Sequence, residues 1–242
     1  MVKSIRNIFP HGRQTDQGVG DIRIGQATVV VALDGSGDAE NIQEGIDLLE
    51  STGGVVYIKE GTYQPKATIL INNSNTMLIG AGNATIIKPT AALTSKTIDV
   101  NAVDECTIQD LQIDNTNTTS ATGINIVNAD NILITNCIIK NMSNAPAIDV
   151  DKTTDSRFIA NDFSGSEGLN IATANKCTFI GNLGGTAINI SANSDRNIIV
   201  GNYLGELIID GATENQNIII GNLYESLSDS GTDTQIGHNI DY

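Results

Sequence analysis

Tryptophan is absent from this 242-residue chain, and only five Tyr and four Phe stand in its place. A core organised around large rings is thereby excluded. With hydrophobic residues at 40% and aromatics at 4%, the interior has to be assembled from many small and medium aliphatic side chains, which suits thin, regular layers. Cations are scarce too: 13 Lys and Arg stand against 28 Asp and Glu, for a formal net charge of −15. Phosphate-backbone binding requires clustered cations that displace counterions, so no nucleic-acid partner is expected. The few cations are unevenly placed, with Lys3, Arg6, Arg13 and Arg23 near the start and no Lys or Arg after Arg196.

Other absences narrow the field. Three cysteines, Cys106, Cys137 and Cys177, leave at least one unpaired and show no zinc-binding spacing. They read as small buried hydrophobes. His11 and His238 stand at opposite ends of the chain, which excludes a shared histidine site. The N-terminus lacks the apolar run of a signal peptide, and no stretch approaches the length of a membrane span. Membrane insertion is not expected, while a virion-associated or extracellular setting is compatible, because a virion protein or another export route needs no such segment.

What is present is a repeat. Five segments align: ILITN ending at Asn136, RFIAN at Asn161, TFIGN at Asn182, IIVGN at Asn202 and IIIGN at Asn222, so that the interval shortens along the chain and the last two are equal. CTIQD ending at Asp110 and MLIGA ending at Ala81 are weaker members upstream, and TQIGH ending at His238 is a shortened last one, as terminal repeats tend to be. The residue two before each Asn is aliphatic (Ile134, Ile159, Ile180, Val200, Ile220), so a two-residue period places these aliphatics and the Asn side chains on one inward face. A second strand recurs upstream, as T-I-D-V at Thr97, G-I-N-I at Gly123, A-I-D-V at Ala147 and A-I-N-I at Ala187. A third, short strand follows the turn at Ile138 and Ile139, Phe163, and Leu204.

Three strands in about 20 to 26 residues make one coil of a solenoid. The fold expected is all-β: a single-stranded right-handed parallel β-helix with three strands per coil and an N-terminal capping α-helix. Stacked amides carry both donors and acceptors, so Asn136, Asn161, Asn182, Asn202 and Asn222 are expected to form a structural ladder at the turn.

The start of the chain differs. After Val29, Val30 and Val31 and the turn at Asp34, Asp38 can cap a helix whose Ile42, Ile46 and Leu49 share one face, closed by Gly53 and Gly54. Residues 1–27 are then an N-terminal arm or cap and residues 28–242 the parallel β-helix domain, with the capping helix at about 39–51 and coils at about 55–242. A helix across the open end covers apolar side chains that otherwise invite association.

Helix Asn41-Ile-Gln-Glu-Gly-Ile-Asp, then Gly53-Gly-Val-Val-Tyr-Ile-Lys-Glu-Gly-Thr-Tyr, then Asn-bearing coils together resemble the pectate-lyase-like superfamily over roughly residues 29 to 225. The similarity is greatest to the branch of phage tailspikes and polysaccharide-degrading enzymes. That resemblance implies a polysaccharide or cell-surface glycan partner lying along the outer face of the strand preceding the Asn-bearing one, and a homotrimer of the tailspike kind.

On the matching strand the outward positions are Asp99, Asn125, Asp149, Asn170 and Asn189, the expected substrate-binding residues. Asp99 and Asp149 fall two coils apart, very roughly 9–10 Å, near the upper end of the separation an inverting glycosidase uses. They are the candidate catalytic pair.

Against an enzyme stand the missing signatures of related polygalacturonases (N-T-D, D-D, G-H-G and R-I-K). Arg157 and Arg196 also precede or lie in the Asn-bearing strands rather than on the candidate face. Coils this short leave no length for a deep cleft, and the longest wall is the Asn- and Thr-rich stretch 114 to 123. Gly80-Ala-Gly-Asn and Gly35-Ser-Gly-Asp lack the helix and Lys of phosphate loops and read as turns. No cofactor or metal is called for, although Asp229 and Asp233 around Gly231 leave calcium open.

The leading expectation is a glycan-engaging module, an adhesin or tailspike-like structural protein. The alternatives are a polysaccharide lyase or glycoside hydrolase using Asp99 and Asp149, and a purely structural spacer.

Overall fold

A computed structural model describes residues 28–166, 168–210, 216–231 and 233–241; the expected N-terminal arm, residues 1–27, lies outside them. Parallel strands climb in three sheets of ten, nine and four, with neighbours drawn from successive coils. The chain forms a right-handed parallel β-helix of about eight turns with almost no helix. Each coil places a strand of the ten-stranded sheet, then a short strand or bridge, then a strand of the nine-stranded sheet before the next turn.

Register explains why aliphatic residues suffice. One inward column of the ten-stranded sheet runs Val29, Val56, Leu78, Ile108, Ile134, Phe158, Phe179, Ile199, Ile219 and Ile236, one residue per strand. All are buried except Ile236 in the last strand. The facing column of the nine-stranded sheet runs Ile69, Ile98, Ile124, Ile148, Leu169, Ile188 and Leu207. Like stacks on like, and Phe158 and Phe179 meet ring on ring at 4.8 Å. At about 1.5–3 kcal/mol per buried aliphatic side chain, this repetition offsets the chain entropy of ordering each coil.

The expected inward aliphatics of four segments face outward instead. Phe158, Phe179, Ile199 and Ile219 point into the core, whereas Ile180 and Ile220 are exposed and Ile159 and Val200 partly so. The cause is the turn. The residue just before each Asn adopts positive φ: Ala160 (54°), Gly181 (63°), Gly201 (64°) and Gly221 (66°). One left-handed residue breaks the two-residue alternation, so the Asn after it turns inward although the residue two before it points out. At Gly181, Gly201 and Gly221 glycine adopts that conformation without steric cost.

The same turn corrects Asn136. Register pairs Ile134 with Phe158, which puts Asn136 opposite Ala160, at the left-handed position itself (φ 52°), where it is exposed. Its place among the inward residues belongs to Cys137, whose buried N–H donates to Asn161 Oδ1 at 3.0 Å. The buried amides run Asn161 to Asn182 (3.1 Å), Asn182 to Asn202 (2.9 Å), Asn202 to Asn222 (2.9 Å) and Asn222 to Asn239 (3.1 Å), each Nδ2 donating to the next Oδ1. The Oδ1 of Asn182, Asn202 and Asn222 also accepts the backbone N–H of the preceding rung's Asn, and each Nδ2 reaches a backbone carbonyl.

A second, shorter stack at the opposite corner links Cys177, Asn197 and Asn217 through backbone N–H to Oδ1 bonds of 2.9 Å. All three cysteines are free and buried. Burial pushes the Cys137 thiol up to about 12 and that of Cys177 to about 11.

At the N-terminal end the helix Ile42–Asp47 buries Ile42 and Ile46, with Leu49 just beyond it also buried. Its cap is Asn41, whose Oδ1 accepts Glu44 N at 2.9 Å. Asp38, the expected cap, instead accepts Val30 N at 2.9 Å and ties the turn to the first strand. A Cβ added at Gly45 would lie 2.4 Å from Val31 Cγ2 and 3.3 Å from Val56 Cγ1, so the helix backbone rests directly on the first coil and covers it.

Replacing Asn182 by Ala removes one rung's donors and leaves its partners unsatisfied. The expected loss is about 2 kcal/mol, roughly 4–8 °C in melting temperature for a chain of this size. Asn136→Ala should shift the thermal melt far less, and equal shifts would contradict the inward place of Asn182 and the outward place of Asn136.

Candidate functional site

The outer face of the nine-stranded sheet carries one polar column. Register aligns Asp99, Asn125, Asp149, Asn170 and Asn189 on consecutive coils. Leu70 continues it beyond Asp99 and Ile208 beyond Asn189. The five positions alternate with buried aliphatics on the same strands, for example Ile98 and Val100 around Asp99. All five expected binding residues are therefore brought together, with Asp99 and Asp149 two coils apart and Asn125 between them.

The column is internally bonded. Asn125 donates from Nδ2 to Asp99 Oδ1 at 2.6 Å, and Lys96 Nζ lies 3.2 Å from both oxygens of Asp99. Asn170 Nδ2 donates to Asp149 Oδ1 at 2.8 Å, while Asp149 Oδ2 takes no hydrogen bond from any described residue. Asn189 Oδ1 is buried and takes no hydrogen bond from any described residue. Counting Lys96, the column carries a net charge of about −1. Asp99 is thus an engaged carboxylate, and Asp149 is the one with a free oxygen.

One wall of this trough is built by the loops leading into the strands. Asn115 is fully buried; its Oδ1 accepts Thr97 Oγ1 at 2.9 Å and its Nδ2 donates to Ala121 O at 2.8 Å. Asn141 Nδ2 donates to Asp114 Oδ1 at 2.8 Å, and Asn117 Nδ2 to Pro89 O at 3.2 Å. These amides of the expected Asn- and Thr-rich wall hold the loops together. Asp114 gathers Thr116, Asn141 and, at 3.3 Å, Lys88. Burial alone would raise its pKa, but the hydrogen bonds from Thr116, Asn141 and Lys88 outweigh it and hold the carboxyl well below the usual carboxylate range.

Sequence reasoning missed Lys96 and the Asn197–Asn217 stack. Lys96 sits three residues before Asp99 on a strand, where alternation does not predict a contact. Asn197 and Asn217 stand one repeat apart in the motifs R-N-I and Q-N-I, a period that was legible. Among the described residues no three His, Cys, Asp or Glu side chains converge on a metal-sized space. Asp229 Oδ1 accepts Gly231 N at 2.9 Å within its own turn. No helix among the described residues is long and apolar enough to cross a membrane.

The family model described as Pectinesterase matches residues 28–148. A probable pectinesterase/pectinesterase inhibitor 60 of Arabidopsis thaliana is 42% identical over 62 residues, 24% of this chain. That stretch spans 12% of the relative's own length. Among solved structures, the pectin methylesterase of Aspergillus niger superposes with a TM-score of 0.55 at 12% identity, covering 89% of this chain and 90% of that one. PfbA, a surface adhesin of Streptococcus pneumoniae, gives 0.52 at 13% identity, covering 81% and 74%. At such identities the structural matches speak for the fold.

Because the folded pKa of Asp114 is depressed, its contribution to stability is present above the unfolded value of about 3.9 and is lost as pH falls through the folded value. Asp114→Asn should therefore lower the melting temperature at neutral pH, and the gap to wild type should narrow progressively below about pH 4. Thermal melts across that range check it; a gap that stays constant would contradict it.

Proposed function

The chain belongs to the pectinesterase family, and from that premise we propose that it engages a pectin-type polysaccharide laid along Asp99, Asn125, Asp149, Asn170 and Asn189. The observation that carries this reading is Asn189 Oδ1, a buried acceptor on the outer face of the sheet without a partner among the described residues. Buried polar atoms are nearly always bonded, and a turn of the Asn189 side chain toward a bound polymer gives this acceptor the donor it lacks, a sugar hydroxyl. Electrostatics selects among pectins. A face of net charge near −1 on a chain of −15 repels a fully ionised uronate polymer and favours a methyl-esterified, neutral one. Such a polymer is met outside the cell, consistent with an extracellular or virion-surface setting.

A second reading, ester hydrolysis, is favoured by the family and by the free Oδ2 of Asp149. Water adds across the methyl ester to give carboxylic acid and methanol. On this reading Asp149 takes the proton of the water that adds to the ester carbon and returns it to the methoxide as the C–O bond to it breaks, and Asn125 and Asn170 flank it. Asp99, held by Lys96 and Asn125, is the less available carboxylate, which weakens the glycosidase pairing of Asp99 with Asp149.

Affinity electrophoresis in highly esterified pectin tests binding: Asn189→Ala should weaken retardation about 3–10-fold, and an unchanged mobility would remove the face from consideration. Methanol release tests chemistry. If wild type releases methanol, Asp149→Asn should abolish it; release that persists in the variant would place the chemistry elsewhere. Binding without release would leave the glycan-binding module standing alone.

The homotrimer that the resemblance implies is also a proposal. The exposed apolar corner formed by Ile180, Leu183, Tyr203 and Ile220 is uncharged surface on which copies of an acidic chain meet without repulsion. Sedimentation should show a species of three copies that Leu183→Lys dissociates. A monomer at micromolar concentration would exclude it.

A further inference from the structure

Four of the 13 Lys and Arg lie before residue 28, which leaves nine. Of these, Lys88, Lys96 and Lys152 are ion-paired. Arg157, Lys176 and Arg196 make no ion pair with any described residue, and the fold brings them to one place. Arg157 stands on the outer face of the ten-stranded sheet, in register with Thr178 and Ile198. Lys176 and Arg196 occupy the same left-handed turn position of successive coils, with φ of 55° and 58°, and the Lys176 N–H bonds Asp195 O at 3.0 Å. Successive coils are about 4.8 Å apart, so the three cations form a short strip in a chain that elsewhere is overwhelmingly acidic.

The strip opens on a groove. Arg196, Ile198, Gln216, Ile218, Asp233 and Gln235 line about 360 Å³ across three coils. Register stacks Ile198 on Ile218 and Ile218 on Gln235. The floor is thus two isoleucines, with a cation at one end, a carboxylate at the other and two amides beside it. Among the described residues, register sets Asp155 one coil before Lys176 and Asp233 two coils beyond Arg196, and Asp195, whose N–H bonds Asn175 Oδ1 at 3.0 Å, adjoins Arg196 in the chain.

We infer that this face is a second saccharide site, separate from the polar column, that takes the ionised form of a uronate-type sugar. Guanidinium and ammonium groups match a carboxylate, the Gln amides match hydroxyls as donor or acceptor, and Ile198 and Ile218 match the apolar C–H face of a ring. Asp233 repels a second carboxylate at its end, which orients the ligand with its charge toward Arg196. The choice of a uronate rests on the pectin reading above; the preference for an anionic sugar rests on the cations alone. Two faces of one solenoid would then divide the two states of the polymer, the ester on the acidic column and the free acid on the cationic strip.

The test is titration of the full chain, by NMR or calorimetry at low salt, with a short galacturonate oligomer and with its methyl ester. The double variant K176Q/R196Q should weaken the free-acid oligomer at least about fivefold and leave the methyl ester unchanged, while Asp149→Asn should leave free-acid binding intact. Thermal melts of each variant confirm folding. Unchanged affinity in the double variant, loss of free-acid binding in Asp149→Asn, or no detectable free-acid binding would overturn the inference, and so would equal binding of a short polyphosphate. The ester column is tested separately, and it fails if Asn189→Ala binds esterified pectin as wild type does.

Discussion

One constraint governs this molecule: a single left-handed residue, Ala160, Gly181, Gly201, Gly221 or His238, that ends each of the last five strands of the ten-stranded sheet. It reverses the side-chain parity, sends the following Asn inward and lets its amide bond to the rungs above and below. An inward amide without such partners would cost about 1–3 kcal/mol, and here each stands where the next Oδ1 or backbone carbonyl meets it. The turn, the amides and the aliphatic columns support one another, because each holds only if successive strands keep the same register. In the middle of the amide stack the spacing is constant, with Asn182, Asn202 and Asn222 at equal intervals.

Like-on-like stacking also organises the outside. A side chain that faces solvent in one coil lies against its counterparts in the next, so outward chemistry comes in columns. Asp and Asn gather on the nine-stranded sheet, Arg and Lys with isoleucine on the ten-stranded sheet, and bare isoleucine, leucine and tyrosine at the corner between them. Each column presents one chemistry over several coils, which is the geometry an extended polymer or a second copy of the chain can use.

The function drawn from the nine-stranded sheet depends on hydrogen bonds already formed as much as on those missing. Asp99, Asn125, Asp149 and Asn170 pair among themselves, and Asp149 Oδ2 and Asn189 Oδ1 are among the atoms that no described residue engages. The amides of Asn115, Asn117 and Asn141 are bonded within the loops of the wall.

The repeat period, the three strands per coil, the N-terminal helix and the in-register row Asp99 to Asn189 could all be read from the sequence, because they follow from spacing and alternation alone. The turn could not. Alternation carried across Ala160, Gly181, Gly201 and Gly221 put Ile159, Ile180, Val200 and Ile220 inside, and the matching letters of ILITN and RFIAN put Asn136 where Cys137 belongs. A left-handed φ is a property of the folded backbone, and only strand pairing shows which residue takes it. The tertiary structure likewise decided which polar atoms are satisfied and which cations meet. Asn189 Oδ1, Lys96 beside Asp99, and the strip from Arg157 to Arg196 all depend on contacts between coils, and a linear chain does not record the distance between its coils.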